Sequence, residues 1–209
     1  MPGLAIFDLD GTLVDSLDDL HASVNHALRA LGLPLRSRQE VHGYVGEGAR
    51  ILLERAIAPE VHLLQPALAA WRAHYEVHCL DHTRPYPGLE ALLAGAGRVL
   101  AVHTNKPGAL ARKILAGLGL LPRFAAVIGG DEAPRKPDPT GVREIVARVG
   151  ASPAETVFVG DSRVDAATAR AAGVAFLAVT WGFASRAELA AAGATSFAES
   201  AADLAPWLS

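Results

Sequence analysis

Five short apolar runs, most of them separated by helix-patterned stretches, constrain the fold of this chain most. They are Leu4-Ala5-Ile6-Phe7 and the segments 98–103, 124–128, 156–159 and 175–179. Each is four to six residues long and apolar without alternation, the pattern of a strand buried on both faces. Between them, Leu110, Ile114, Leu115 and Leu118 recur at helical spacing, as do Val142, Ile145, Val146 and Val149. Asp138 and Pro139 supply a start signal for the second of these helices, Gly150 ends it, and Gly173 stops the next. Buried strands alternating with helices predict a parallel, doubly wound sheet of the α/β class, Rossmann-like in its winding.

One long stretch breaks the alternation. Leu17, Leu20, Val24, Leu28 and Leu31 predict a helix closed by Gly32 and Pro34, and Ser37 with Glu40 makes a capping-box start for another. Residues 51–56 and then Leu68, Trp71 and Tyr75 continue the helical pattern until Pro85-Tyr86-Pro87-Gly88 ends it. Residues 15–85 are therefore expected to form a small α-helical cap domain, inserted after the first strand of a core made of residues 1–14 and 86–209.

The first strand runs into Asp8-Leu9-Asp10-Gly11-Thr12. Positions two apart on a strand project to the same side, so Asp8 and Asp10 would crowd two like charges at a buried strand end. On their own the two acids also suit the start of a turn. Their desolvation is relieved by a cation, and hard oxygen ligands favour Mg²⁺. In open α/β sheets this strand edge is also where ligands bind.

Three further polar groups fall at predicted strand ends. Thr104-Asn105-Lys106-Pro107 offers a hydroxyl, an amide and free backbone N–H groups at a helix start, a combination that suits phosphate as well as simple capping. Lys136, one of only three lysines with Lys106 and Lys113, precedes Pro137 and is thereby biased to an extended backbone that reaches over the edge. Gly160-Asp161 and Asp165 bring two more acids there, one helical turn apart. Helix capping explains each acid separately but not their gathering at one edge.

Composition excludes several classes. A formal charge of -3 argues against a nucleic-acid binder working by broad electrostatics. The single cysteine, Cys79, forms no intrachain disulfide and suits a reducing compartment. No apolar run approaches membrane-spanning length, and acids occur too early for a signal peptide. The expectation is a cytoplasmic protein, monomer or homodimer, with no nucleic-acid or membrane partner.

Taken together, Asp8-Leu9-Asp10-Gly11-Thr12, Thr104-Asn105, Lys136-Pro137 and Gly160-Asp161 with Asp165 resemble the four signatures of the haloacid dehalogenase superfamily, across the whole chain. The wider phrases 7–16, 136–139 and 159–173 are similar to its phosphoglycolate phosphatase branch. The resemblance implies a Mg²⁺-dependent phosphatase acting on a small phosphorylated metabolite, with 2-phosphoglycolate, giving glycolate and phosphate, as the leading candidate. It implies Asp8 as nucleophile forming an aspartyl-phosphate and Asp10 as acid and then base. It further implies Mg²⁺ on Asp8, the Asp10 carbonyl and Asp161, with Asp165 orienting water around it. Thr104 and Asn105 would grip the phosphoryl group, and Lys136 would offset its charge.

Sister activities fit less well. A dehalogenase has no use for a second acid at position 10, and a phosphonatase needs a cap lysine, which residues 15–85 lack. A hexose-phosphate mutase, or a phosphatase of sugar phosphates, pyrophosphate or pyridoxal phosphate, remains an alternative. Thr12 resembles the phosphatases more than the mutases. A non-catalytic binding protein would be expected to lack one of these groups, and none is missing.

Val45-Gly46-Glu47-Gly48-Ala49 resembles the substrate-facing loop of the same branch. Gly46, Glu47, Gly48 and Arg50 are therefore expected to contact substrate. Glu47 stands where that branch carries asparagine, and a carboxylate there would repel glycolate's own unless a cation such as Arg50 offsets it. His74, His78 and His82 beside Cys79 have a metal-like spacing, but without a well-spaced fourth ligand a polar helix surface is the simpler reading. His103 is expected to face away from the site.

Overall fold

A computed structural model describes residues 3–209 of the chain. In chain order its elements are β1 (Leu4–Phe7), β2 (Val14–Asp15), α1 (Leu17–Ala30), α2 (Arg38–His42), α3 (Ala49–Ile57), α4 (Leu64–His78), β3 (Arg84–Pro85) and α5 (Leu89–Ala94). There follow β4 (Val99–His103), α6 (Gly108–Gly117), β5 (Ala126–Ile128), α7 (Thr140–Val149), β6 (Thr156–Gly160), α8 (Arg163–Ala172), β7 (Ala175–Val179), α9 (Arg186–Ala191), β8 (Phe197–Ala198) and α10 (Ala201–Leu208).

Six strands form one sheet in the order β5-β4-β1-β6-β7-β8, with every pairing parallel. The unbroken apolar character of β1 follows from its central place. Leu4 and Ile6 pack with Val142 and Ile145 of α7 on one face. Ala5 and Phe7 face the other way, into the cluster that holds Leu93 of α5, Ile114 of α6 and Leu204 of α10. Burying a large apolar side chain completely is worth about 1.5–3 kcal/mol, and both faces of the strand gain it. From β1 the chain builds outward to β4 and β5, then returns to build β6, β7 and β8 on the other side. The strand order thus reverses beside β1, where a doubly wound sheet opens a crevice at its C-terminal edge.

The helices α1 to α4 lie between β2 and β3, which pair antiparallel through Val14 with Pro85 and Asp15 with Arg84. The chain's path into and out of the helical block is therefore one short ladder. Asp19, 1 % exposed, clamps the outgoing path. Its carboxylate accepts from the backbone N–H of His82 and Thr83 and from the Thr83 hydroxyl, at 2.7–3.1 Å. The expected capping box forms at α2, where Glu40 N–H donates to Ser37 Oγ and Ser37 N–H to Glu40 Oε2. Leu9 and Leu13 of the core share one apolar cluster with Leu28, Leu53 and Tyr75 of the block.

Sequence periodicity ends at β7, whereas the chain continues through α9, β8 and α10. Each of the two last helices starts on a serine capping box, at Ser185 and Ser200. The histidines of α4 belong to packing. His74 stacks between His26 and His78, with ring centroids 4.3 and 4.2 Å apart, and its Nδ1 meets the Ser23 hydroxyl. His82 sits on Asp19. Among the described residues the acid cluster at the sheet edge, not these histidines, groups ligand atoms as a metal needs. No described helix is long and apolar enough to cross a membrane.

Candidate active site

At the end of β1, Asp8 is still held in the sheet by its N–H to Val159 O. The chain then folds back on itself, with Gly11 N–H donating to Val14 O and Leu13 N–H to Leu9 O. Gly11 takes a positive φ of 82°, and a Cβ there would lie 2.3 Å from Asp161 Oδ2. Only glycine lets the turn approach the second acid this closely.

Lys136 reaches in from the loop after β5. Its Nζ lies 2.8 Å from Asp8 Oδ1 and 2.7 Å from Asp165 Oδ1, with the ammonium and both acids buried. Burial opposes the lysine's charge, but Asp165 and Asp8 outweigh it and hold its pKa above the usual value. The ammonium is aligned for a hydrogen bond to Asp165 but not to Asp8, whose Oδ1 is buried without one. Burial raises the Asp8 pKa from 3.8 to about 6; Lys136 counteracts this, and Asp165 and Asp10 add to it. Asp161 is also raised, by burial and then by the charges of Asp165 and Asp8.

These acids fit a metal. Asp8, Asp161 and Asp165 each bring an oxygen within 4.8 Å of the others. Three buried carboxylates face one buried ammonium, which leaves two negative charges for a divalent cation to balance. All donors are hard oxygens, the kind of ligand such a cation takes. Asp161 is oriented in advance by the Thr12 hydroxyl on Oδ1 and Phe183 N–H on Oδ2. Asp165 is oriented by the capping box it closes with Ser162 at the start of α8.

Asp10 lies apart from that cluster and has its own lysine. Lys106 Nζ is 2.9 Å from Asp10 Oδ1, and the Ser16 hydroxyl donates to the same oxygen at 2.5 Å. Thr104 and Asn105 lead from β4 toward α6. The Thr104 Oγ accepts from Lys106 N–H, which leaves the hydroxyl proton for a ligand. Asn105 spends its side chain elsewhere: Oδ1 accepts from Lys136 N–H, and Nδ2 donates to Lys136 O and Gly46 O. It ties the Lys136 backbone to the helical block. His103 is turned to the opposite face, against Gly141 of α7 and Phe158. Burial lowers its pKa to about 4.

Asp8, Asp10, Thr104, Asn105 and Lys106 line one wall of a cavity of about 40 Å³. The helical block supplies the other wall through Leu20, Val45, Leu52, Trp71, Gly46 and Gly48. Gly48, with φ 90°, starts α3 at the cavity rim, and a Cβ there would press on Asn105 O at 3.2 Å. Glu47 and Arg50, expected on the substrate, are not in this wall. The two glycines turn Glu47 outward, where it pairs with Arg55 at 2.5 Å and with Arg163 of α8 at 3.4 Å. Arg50 pairs with Glu54 on the exposed side of α3. Glu47 thus faces two arginines in this structure, the kind of offsetting cation expected for it. Lys106, Ser16 and Trp71 are the lining or supporting groups that motif reading passed over; the scarcity of lysine was the available signal for the first.

Comparison with known proteins agrees with this geometry. Residues 5–179 match the family model described as haloacid dehalogenase-like hydrolase. A phosphoglycolate phosphatase of Cereibacter sphaeroides is 42% identical, over 88% of this chain and 87% of that one. One from Rhodospirillum rubrum is 40% identical, over 100% of this chain and 91% of its own. The crystal structure of a predicted phosphoglycolate phosphatase from Haemophilus somnus 129pt superposes with a TM-score of 0.90 at 31% identity, covering 97% of this chain and 96% of that one.

Proposed function

Because the chain belongs to the haloacid dehalogenase-like hydrolases, we propose that it is a Mg²⁺-dependent phosphatase that converts 2-phosphoglycolate to glycolate and phosphate. The observation that carries the reading is the buried cluster of Asp8, Asp161 and Asp165 around the Lys136 ammonium, beside a cavity that Asp8 shares with Asp10 and Thr104. The substrate name rests on the relatives of about 40% identity.

Asp8 attacks phosphorus, forming its acyl–phosphate bond as the bond from phosphorus to the ester oxygen breaks, and Asp10 gives a proton to the departing glycolate oxygen. Asp10 then takes a proton from the water that attacks the aspartyl-phosphate, and phosphate leaves with Asp8 restored. Thr104 binds a phosphoryl oxygen through its free hydroxyl proton, and Lys136 stays against Asp8 to offset the charge that gathers there. Asp8, Asp161 and the Asp10 carbonyl would hold Mg²⁺, which when bound neutralises phosphoryl charge; Asp165 would orient water around it. Residues 15–85 act as a cap over a core of residues 1–14 and 86–209. Their apolar wall covers the cavity and keeps bulk water from it.

A substrate panel with Mg²⁺ tests this, comparing phosphoglycolate with sugar phosphates, pyrophosphate, nucleotides and pyridoxal phosphate. A kcat/KM for phosphoglycolate at least about tenfold above the others, about 1.4 kcal/mol in transition-state binding, is expected. A smaller margin removes the substrate name. No hydrolysis of any phosphomonoester removes the reaction.

A further inference from the structure

Each acid of the Asp8–Asp10 pair lies against a buried lysine, but only that of Asp8 has a task in the reaction above. Lys106, 6 % exposed, lies in the turn between β4 and α6. A lysine is rarely buried this deeply without a specific partner, and an apolar residue would fill the space at lower cost. Lys106 has two partners. Its Nζ is 2.9 Å from Asp10 Oδ1, and it donates to the Tyr75 hydroxyl at 2.8 Å while lying 4.6 Å from the centre of that ring. Tyr75 is fully buried near the C-terminal end of α4 and stacks on Trp71 of the cavity wall, with centroids 4.9 Å apart. The same end of α4 is tied to the core a second time, where Lys113 of α6 donates to Glu76 O.

Resting on the phosphatase reading, we propose that Lys106 is a positioning residue that sets Asp10 in its working orientation and ties that orientation to the helical block through Tyr75. Lys106 and Ser16 both bind Oδ1, so the carboxylate is held from one side and Oδ2 is left to carry the proton. In the first step the proton leaves Oδ2 for the ester oxygen as the bond from phosphorus to that oxygen breaks. In the second, Oδ2 receives a proton from the attacking water. The lysine touches neither substrate nor proton; it keeps the carboxylate from rotating. When α4 lifts, Tyr75 withdraws one of the two anchors of Lys106, so Asp10 is held firmly only under a seated cap.

The test compares leaving groups, because an acid matters in proportion to how poorly the group departs unaided. Lys106→Met and Tyr75→Phe are assayed with Mg²⁺ on 2-phosphoglycolate, whose alkoxide needs a proton, and on p-nitrophenyl phosphate, whose phenolate does not. Aspartyl-phosphate formation is followed by rapid quench. For Lys106→Met the proposal expects formation from phosphoglycolate to slow about 100-fold, at the lower end of the range for acid–base catalysis, with KM within about threefold. Formation from p-nitrophenyl phosphate should stay within about threefold of wild type. Tyr75→Phe, which keeps the ring and its stack on Trp71, should show the same leaving-group pattern with a loss of about tenfold. In an Asp10→Asn background, Lys106→Met should add nothing to the loss on phosphoglycolate.

Equal slowing on both esters overturns the proposal, as does a raised KM at unchanged kcat, which would make Lys106 a substrate ligand. Wild-type rates in Tyr75→Phe overturn the tie to the helical block. Urea unfolding checks that each variant is folded, and Tyr75→Phe decides if Lys106→Met is not. Wild-type protein that cleaves neither ester speaks against the phosphatase reading; wild-type activity without the leaving-group pattern speaks against this inference alone.

Discussion

Replacing Asp8 by asparagine should make the metal-free protein more stable while abolishing turnover. The side chain keeps its shape and loses a charge that burial disfavours. The structure sets the magnitude. Moving a carboxyl from 3.8 to about 6 corresponds to about 3 kcal/mol, at about 1.4 kcal/mol per pH unit. Lys136 loses one of its two acids in the variant, so this figure is a ceiling. The sign follows from the raised value. The folded protein binds the Asp8 proton more tightly than the unfolded chain, so this group's contribution is complete below 3.8 and is lost as pH rises through about 6. The advantage of Asp8→Asn over wild type should therefore be near zero at about pH 4 and approach 3 kcal/mol by about pH 8. Urea unfolding in EDTA measures it, as a midpoint shift of up to about 1.5 M for a slope of about 2 kcal/mol/M. Saturating Mg²⁺ should narrow the gap, because a ligand of the folded state stabilises the protein that binds it better. A variant no more stable than wild type at about pH 8 in EDTA refutes the reasoning, and so does an advantage that persists undiminished at about pH 4.

Two other outcomes follow from the geometry. Glu47→Gln should raise KM by less than about fivefold, because partly exposed ion pairs to Arg55 and Arg163 contribute at most about 1 kcal/mol; the difference from wild type should shrink in high salt, whereas a loss beyond tenfold would mean direct contact with substrate. His74→Gln should flatten the pH dependence of the unfolding midpoint. Burial, then His26 and His78, with a smaller part from Arg29 and against Asp81, hold the His74 imidazole below its ordinary 6.5. The unfolded chain therefore takes up the proton first, and wild-type stability should fall as pH drops below that value. An unchanged slope in the variant would show that the histidine stack carries no such linkage.

The parts of the site written in short motifs at strand ends were legible in the sequence. Asp8, Lys136, Asp161 and Asp165 meet because buried strands stop together at one edge, and an apolar run followed by an acid marks that place. Groups whose role depends on distant packing were not legible. Lys106 meets Asp10 from another strand end and Tyr75 from thirty-one positions away, contacts that only the packing brings together. Asn105 reads as a phosphate group but is committed to Lys136 and Gly46. The loop that holds Glu47 was readable, but its direction was not: Gly46 and Gly48 on either side take positive φ values, and Glu47 pairs with Arg55 and Arg163. The final strand, Phe197–Ala198, is too short to carry a periodic signal.

The two-residue ladder of β2 and β3 has a consequence for how such a molecule changes over generations. Val14 and Pro85 are directly paired, so everything between them hangs from two adjacent points of the core. A piece of chain whose ends already touch can be lengthened, shortened or exchanged without rerouting the sheet. The residues proposed to break the phosphate bond lie outside that piece, and the apolar wall that covers the cavity lies mostly within it. Inheritance can thus alter the choice of ester while leaving the bond-breaking apparatus untouched, with Tyr75 on Lys106 as the contact that a replacement would have to recreate.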